Sequence, residues 1–185
     1  MARGRVRGVT GTVRHALSRG WQVAAAKPAG DVDTLPAGLD SLRWFDATVP
    51  GTAASALRAA GAWSWDETRA FDAEDWWWRV PLGGATGVLA IDGIATLWEC
   101  FIDGELAGRG DSMWRRHELD VTGAKDLVIR CRALEPELGK KRPRPRWKVP
   151  MLEQQQLRWF RTTLLGRTPG WSPPCPAVGP WRPVW

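Results

Sequence analysis

An antiparallel β-sandwich carrying one short helix is the fold class this sequence predicts, and three observations predict it. From Trp76 onward, short apolar runs separated by Gly and Asp recur at intervals of about ten residues, the spacing of sandwich strands. Asp103-Gly104 lies between two apolar arms, and this dipeptide readily adopts the left-handed conformations of a tight hairpin turn. Short strands in close succession argue against βαβ units, which alternate strands with long helices. The 185 residues, 44% of them hydrophobic, can fill one core.

Residues 1–18 are rich in Arg and small residues with weak periodicity, and predict a basic N-terminal arm ahead of a single sandwich domain over 19–185. GWQVAAA, from Gly20, has strand character, and Leu42–Thr48 is a second extended piece before the Pro50-Gly51 turn. Thr52–Ala60 is rich in helix formers and closes on Gly61, which predicts the one helix. Five strand pieces follow: 76–82, 87–94, 96–110, 115–121 and 126–134. Asp92-Gly93 is a second turn candidate, and LGGATG (82–87) reads as a turn. In the triplet Trp76-Trp77-Trp78, strand alternation sends the outer two rings to one face and Trp77 to the other, so at least one face is buried. Beyond 134 come a basic, proline-rich segment, an extended piece around Arg161, a Pro/Gly loop over 167–180 and a last strand at WRPVW.

Composition excludes several classes of function. No run approaches the roughly 20 apolar residues of a membrane span, and the basic N-terminus has no signal-peptide core, so a cytoplasmic protein with no membrane partner is expected. Cys100, Cys131 and Cys175 are widely spaced and form no CxxC pair, so they read as small buried hydrophobes, with no metal site. His15 in the arm and His117 on a strand give no nucleophile–base pair. Glu99, Glu105 and Glu118 sit at strand positions where exposed carboxylates are routine. The glycine-rich pieces match neither phosphate-loop nor dinucleotide spacing, and no cofactor is expected. The six-charge basic excess makes anionic partners worth weighing, and KKRPRPRWK around Trp147 could track a nucleic-acid backbone in an extended conformation. With one interleaved aromatic and no surrounding RNA or DNA motif, residues 139–150 read instead as a surface loop, and nucleic acid is the weaker alternative, through residues 139–148. Fourteen Trp and no Tyr make a flat binding surface plausible.

Five stretches in order resemble motifs of the N-terminal domain of glycoside hydrolase family 2, the β-mannosidase-like branch above all. They are VPGTAASALRAAG (49–61), EDWWWRVPL (74–82), IDGELAGRG (102–110), HELDVTG (117–123) and VGPWRPVW (178–185). The resemblance implies a galactose-binding-like jelly roll. It further implies a non-catalytic domain that packs beside an immunoglobulin-like domain and a (β/α)₈ barrel holding the two catalytic glutamates. A barrel needs roughly 250 residues, so this chain is expected to contain none, to hydrolyse nothing alone and to be a fragment.

In that family a loop resembling R-K-x(6)-GWDWGP reaches the active-site rim. Counting back from Trp181, Arg161 takes the motif's Arg, and 168–173 falls on GWDWGP, with Trp171 at the second Trp and Gly170 where the Asp stands. Matching Gly170-Trp171 to the motif's first Gly-Trp instead puts Ser172 at the Asp. In both registers the carboxylate is absent, which removes a charge-assisted bond to a sugar hydroxyl. The resemblance thus offers Trp171 as a sugar-facing platform, Arg161 and Arg182 as its supports, and Ser172 as a further candidate. Carbohydrate and the remaining domains of a parent enzyme are the implied partners; a free-standing carbohydrate-binding module is the alternative.

Overall fold

The computed structural model describes residues 13–143 and 146–185. In chain order it contains β1 (Trp21–Ala26), β2 (Phe45–Ala47), α1 (Ala53–Ala59), β3 (Asp75–Ala85), β4 (Val88–Ile91), β5 (Trp98–Ile102), β6 (Glu105–Gly110), β7 (His117–Asp120), β8 (Ala124–Cys131) and α2 (Glu135–Leu138). Six strands form one antiparallel sheet in the order β2-β1-β3-β8-β5-β6. The other layer pairs β4 with β7. WRPVW lies along β4 rather than forming a full strand: Ala90 and Trp185 exchange N–H···O bonds of 3.0 and 2.9 Å, and Asp92 N–H donates to Pro183 O at 3.1 Å. This is the antiparallel sandwich expected of a galactose-binding-like domain.

The core lies between the layers. Trp76, Trp78, Cys100 and Ile129 of the large sheet meet Leu89 and Ile91 of β4 and Val184 of the chain end. The predicted alternation along β3 holds, and both faces are buried: Trp76 and Trp78 face this core, while Trp77 packs on Phe101 and Arg130 on the outside of the large sheet. Residues 29–35 run across that outer face as a strap. Ala29 and Gly30 carbonyls accept from Arg130, Asp33 pairs with Arg109, and Leu35 N–H donates to Gly104 O.

Helix α1 starts where its chemistry dictates. Thr52 Oγ1 accepts from Ser55 N–H at 3.2 Å, Ser55 Oγ accepts from Thr52 N–H at 2.9 Å, and Gly61 takes the left-handed φ that ends the helix. At the predicted hairpin, Asp103 and Gly104 have φ of 49° and 91°. Asp103 also accepts from Lys125 and Asp126 N–H at 2.9 Å each, and these two bonds, that of Asp126 first, hold its pKa below the ordinary carboxylate value.

Five expectations need correction. Asp92-Gly93 is no hairpin, because β4 pairs with β7 and the chain there crosses between sheets. Residues 82–85 continue β3 through a register shift, which the left-handed Gly83 and Gly84 permit, instead of turning. A second helix, the single turn α2, begins with Pro136 in its first turn, where the missing N–H costs nothing. The piece around Arg161 is a 3-10 turn over Gln155–Trp159 followed by one bridge from Arg161 to Ser112, with Met113 N–H donating to the Arg161 carbonyl at 3.1 Å. Cys175 is half-buried, unlike Cys100 and Cys131; burial pushes the Cys100 thiol up to about 12 and Cys131 higher still. The arm predicted over 1–18 falls mostly outside the described residues, but Leu17 N–H already donates to Val184 O and Ser18 O accepts from Val49 N–H.

Candidate functional site, the 166–175 loop

Residues 166–175 form a closed surface loop. Its neck is the approach of Gly166 to the Cys175 carbonyl, so close that a Cβ at 166 would collide with backbone, and Gly166 has the left-handed φ of 81°. Inside the loop, Ser172 Oγ accepts from Gly166 N–H at 2.8 Å and Thr168 O from Trp171 N–H at 3.1 Å. The loop is fixed to the sandwich by Arg167. Its Nε and Nη2 donate to Asp72 at 2.6 and 2.7 Å, a bidentate pair, and its Nη1 donates to Thr163 O at 2.8 Å. Asp72 lies in the 3-10 turn just before β3, whose Phe71 is wholly buried, so the clamp ends on a rigid base.

Trp171 stands at the loop tip with 75% of its surface exposed. A ring held on a clamped loop can stack on the apolar face of a sugar at little conformational cost. Ser172 turns its oxygen back to the loop neck, so its lone pairs serve the fold first. Gly170 has φ of 78°, a conformation that suits glycine better than an Asp.

The other two candidates, Arg161 and Arg182, belong to segments whose backbone and Trp181 meet at the Met113 segment. Met113 N–H donates to Arg161 O at 3.1 Å, Met113 O accepts from Trp181 Nε1 at 2.7 Å, and Thr163 N–H points at Met113 Sδ. Arg182 lays its guanidinium over the Trp181 ring, 4.5 Å from the centroid, and its N–H reaches Gly93 O. Gly93 packs so tightly on Met113 O and the Arg182 side chain that no Cβ fits there. The structure therefore joins Arg161 and Arg182 through one segment and carries Trp171 and Ser172 on a separate loop.

Sequence reasoning missed Arg167 and Asp72, which hold this loop. They are 95 residues apart, and no local pattern connects them. Of the three strand carboxylates, Glu105 on β6 and Glu118 on β7 are exposed as expected, while Glu99 is buried on the outer face of the large sheet. In the basic segment, Lys140 pairs with Glu137, and Arg142 donates to Glu137 O and lies over Phe160, contacts expected of a surface loop. Arg144 is outside the described residues.

Residues 21–182 match the family described as glycosyl hydrolase 2 galactose-binding domain-like. Among solved structures, the chain is similar to the β-D-mannosidase of Dictyoglomus thermophilum, with a TM-score of 0.70 and 21% identity over 92% of this chain and 22% of that one. It is also similar to a GH2 β-galacturonidase of Eisenbergiella tayi bound to galacturonate, with a TM-score of 0.50 and 14% identity over 92% of this chain and 23% of that one. At these identities the likeness is one of fold. The chain spans between a fifth and a quarter of the length of either structure. No curated protein matches it.

Proposed function

Because the chain belongs to the glycosyl hydrolase 2 galactose-binding domain-like family, we propose that it serves as the non-catalytic N-terminal domain of a longer, β-mannosidase-like glycosidase and lends the 166–175 loop to the rim of that enzyme's active site. The observation that carries this reading is the exposed Trp171 on a loop clamped by Arg167 to Asp72. A solvated ring of this size on a rigid loop has no packing role within the sandwich. Trp114, Trp159, Leu164 and Leu165 are exposed as well, an apolar set suited to being covered by further domains. Arg161 and Arg182, set by the Met113 segment, would brace the rim from its other side. The missing carboxylate leaves the sugar's identity to other groups.

The test uses the longer gene product and hydrolysis of 4-nitrophenyl β-D-mannoside and the matching galactoside. Trp171→Ala is expected to lower kcat/KM by about tenfold, the worth of one stacking contact, while leaving Tm unchanged because the ring is exposed. Arg167→Ala should lower kcat/KM in the same direction by loosening the loop that carries the ring. Unchanged kcat/KM in both variants would remove the loop from the reaction.

A further inference from the structure

The basic segment that stands out in the sequence folds back over a small core of its own. Leu134, Leu138, Leu152 and Leu157 are buried together, with Leu97, Val149 and Phe160 packed on them, apart from the core between the layers. Side chains tie the turns above these leucines to backbone. Gln155 Oε1 accepts from Val149 N–H at 3.0 Å and Gln155 Nε2 donates to Val149 O at 2.8 Å. Gln156 Nε2 donates to Lys140 O at 3.2 Å, and Arg142 Nη1 to Glu137 O at 2.6 Å. These bonds stand in for the regular ladder that a segment holding Pro143 and Pro150 does not form.

A cavity of about 400 Å³, the size of a small-molecule site, opens on this unit. Lys141, Arg142, Lys148 and Arg158 line it, and Glu153 is the one carboxylate among the described lining residues. Glu137 pairs with Arg132, Lys140 and Arg142, whereas Lys141, Lys148 and Arg158 enter no ion pair among the described residues. Arg158 is fixed all the same. Its Nε donates to Gln155 O at 2.7 Å, its Nη1 to Trp147 O at 2.8 Å and its Nη2 to Gln155 Oε1, while the guanidinium lies over the Trp147 ring, 4.3 Å from the centroid. All three acceptors are neutral, so they orient the guanidinium without cancelling its charge, and two of its five N–H donors remain for a ligand.

Cations gathered around one concavity focus a positive field on it. A nucleic-acid strand fits this arrangement poorly: it calls for a groove of cations along a track with several rings for its bases, and the one ring lining this cavity already carries Arg158. A monovalent anion would leave most of the charge unmet. We infer that the cavity is a binding site for a compact multivalent oxyanion of the diphosphate class, its oxygens accepting from Lys141, Lys148 and the two remaining N–H donors of Arg158. This site is independent of the role proposed for Trp171.

The experiment follows the indole N–H resonances of the ¹⁵N-labelled chain during titration with sodium pyrophosphate, with sodium chloride at matched ionic strength, and with a single-stranded oligothymidylate; the Trp147 resonance is the one missing from Trp147→Phe. That resonance is expected to shift saturably with pyrophosphate at millimolar concentrations and to show no saturable shift with chloride. Lys148→Gln should weaken pyrophosphate binding by about three- to tenfold, whereas Lys125→Gln, an exposed lysine on β8, should leave it unchanged. A Trp147 resonance that does not saturate with pyrophosphate overturns the inference. Equal weakening by the two lysine variants also overturns it, because only the net charge would then matter. Movement with oligothymidylate and none with pyrophosphate overturns it in favour of a nucleic-acid strip. Each of these results leaves the proposed role of the 166–175 loop intact.

Discussion

Asp75→Ala is expected to cost the chain about 3–5 kcal/mol, the penalty of stripping one partner from a buried ion pair. Asp75 and Arg130 are 1% and 0% exposed. The Asp75 carboxylate accepts from Arg130 Nε at 2.9 Å and Nη2 at 2.6 Å, from Ala29 N–H at 2.9 Å and from Ala133 N–H at 2.7 Å. Without it, Arg130 keeps Glu99 and two strap carbonyls, yet two backbone donors and part of a guanidinium lose their partners at once. Because Ala29 anchors the strap over Trp77, the damage should spread there. Amide exchange at Ala29 should rise beyond the global loss, and the urea midpoint should fall by an amount equivalent to the whole penalty. A loss below about 1 kcal/mol would mean that the triad does not hold the outer face together.

Trp78→Ala should be as damaging, again about 3–5 kcal/mol, because it empties the centre of the core between β3 and the chain end. Trp78 is fully buried, and Gly179 packs against its ring so closely that a Cβ there would overlap it. The Phe variants distinguish shape from hydrogen bonding. Trp76 Nε1 donates to Phe71 O at 3.0 Å, whereas Trp78 Nε1 is buried without a partner. Trp76→Phe therefore loses a bond as well as volume, and Trp78→Phe loses volume while relieving an orphaned donor. Thermal denaturation should rank Trp76→Phe as the costlier by about 1 kcal/mol; the reverse order would contradict the packing described for β3.

Strand content was legible because side-chain alternation and turn chemistry are local. Asp103-Gly104 announced its hairpin through the one conformation those residues share with a tight turn. Asp92-Gly93 has the same letters and makes no hairpin, since what decides it is that β4 finds β7, a choice made across the sandwich. The strap over Trp77 was illegible for the same reason: Asp75, Glu99 and Arg130 come together from three strands. A signal did exist, in that all three occupy positions facing the same side as Trp77, where four polar or aromatic residues on one sheet face need a cover. At the loop, Trp171 and Ser172 could be picked out by resemblance, but the Arg167–Asp72 clamp that fixes the loop is non-local, and so are the bonds that Met113 makes to the Arg161 carbonyl and the Trp181 indole.

The central claim, that this sandwich works as one domain of a larger glycosidase, is tested most directly by the size of the native product. An immunoblot of the source cells, raised against residues 19–185, is expected to show a band heavier than 20.6 kDa by at least about 27 kDa, the mass of the roughly 250 residues of a (β/α)₈ barrel. A single band at 20.6 kDa would contradict the claim and favour a free-standing carbohydrate-binding module.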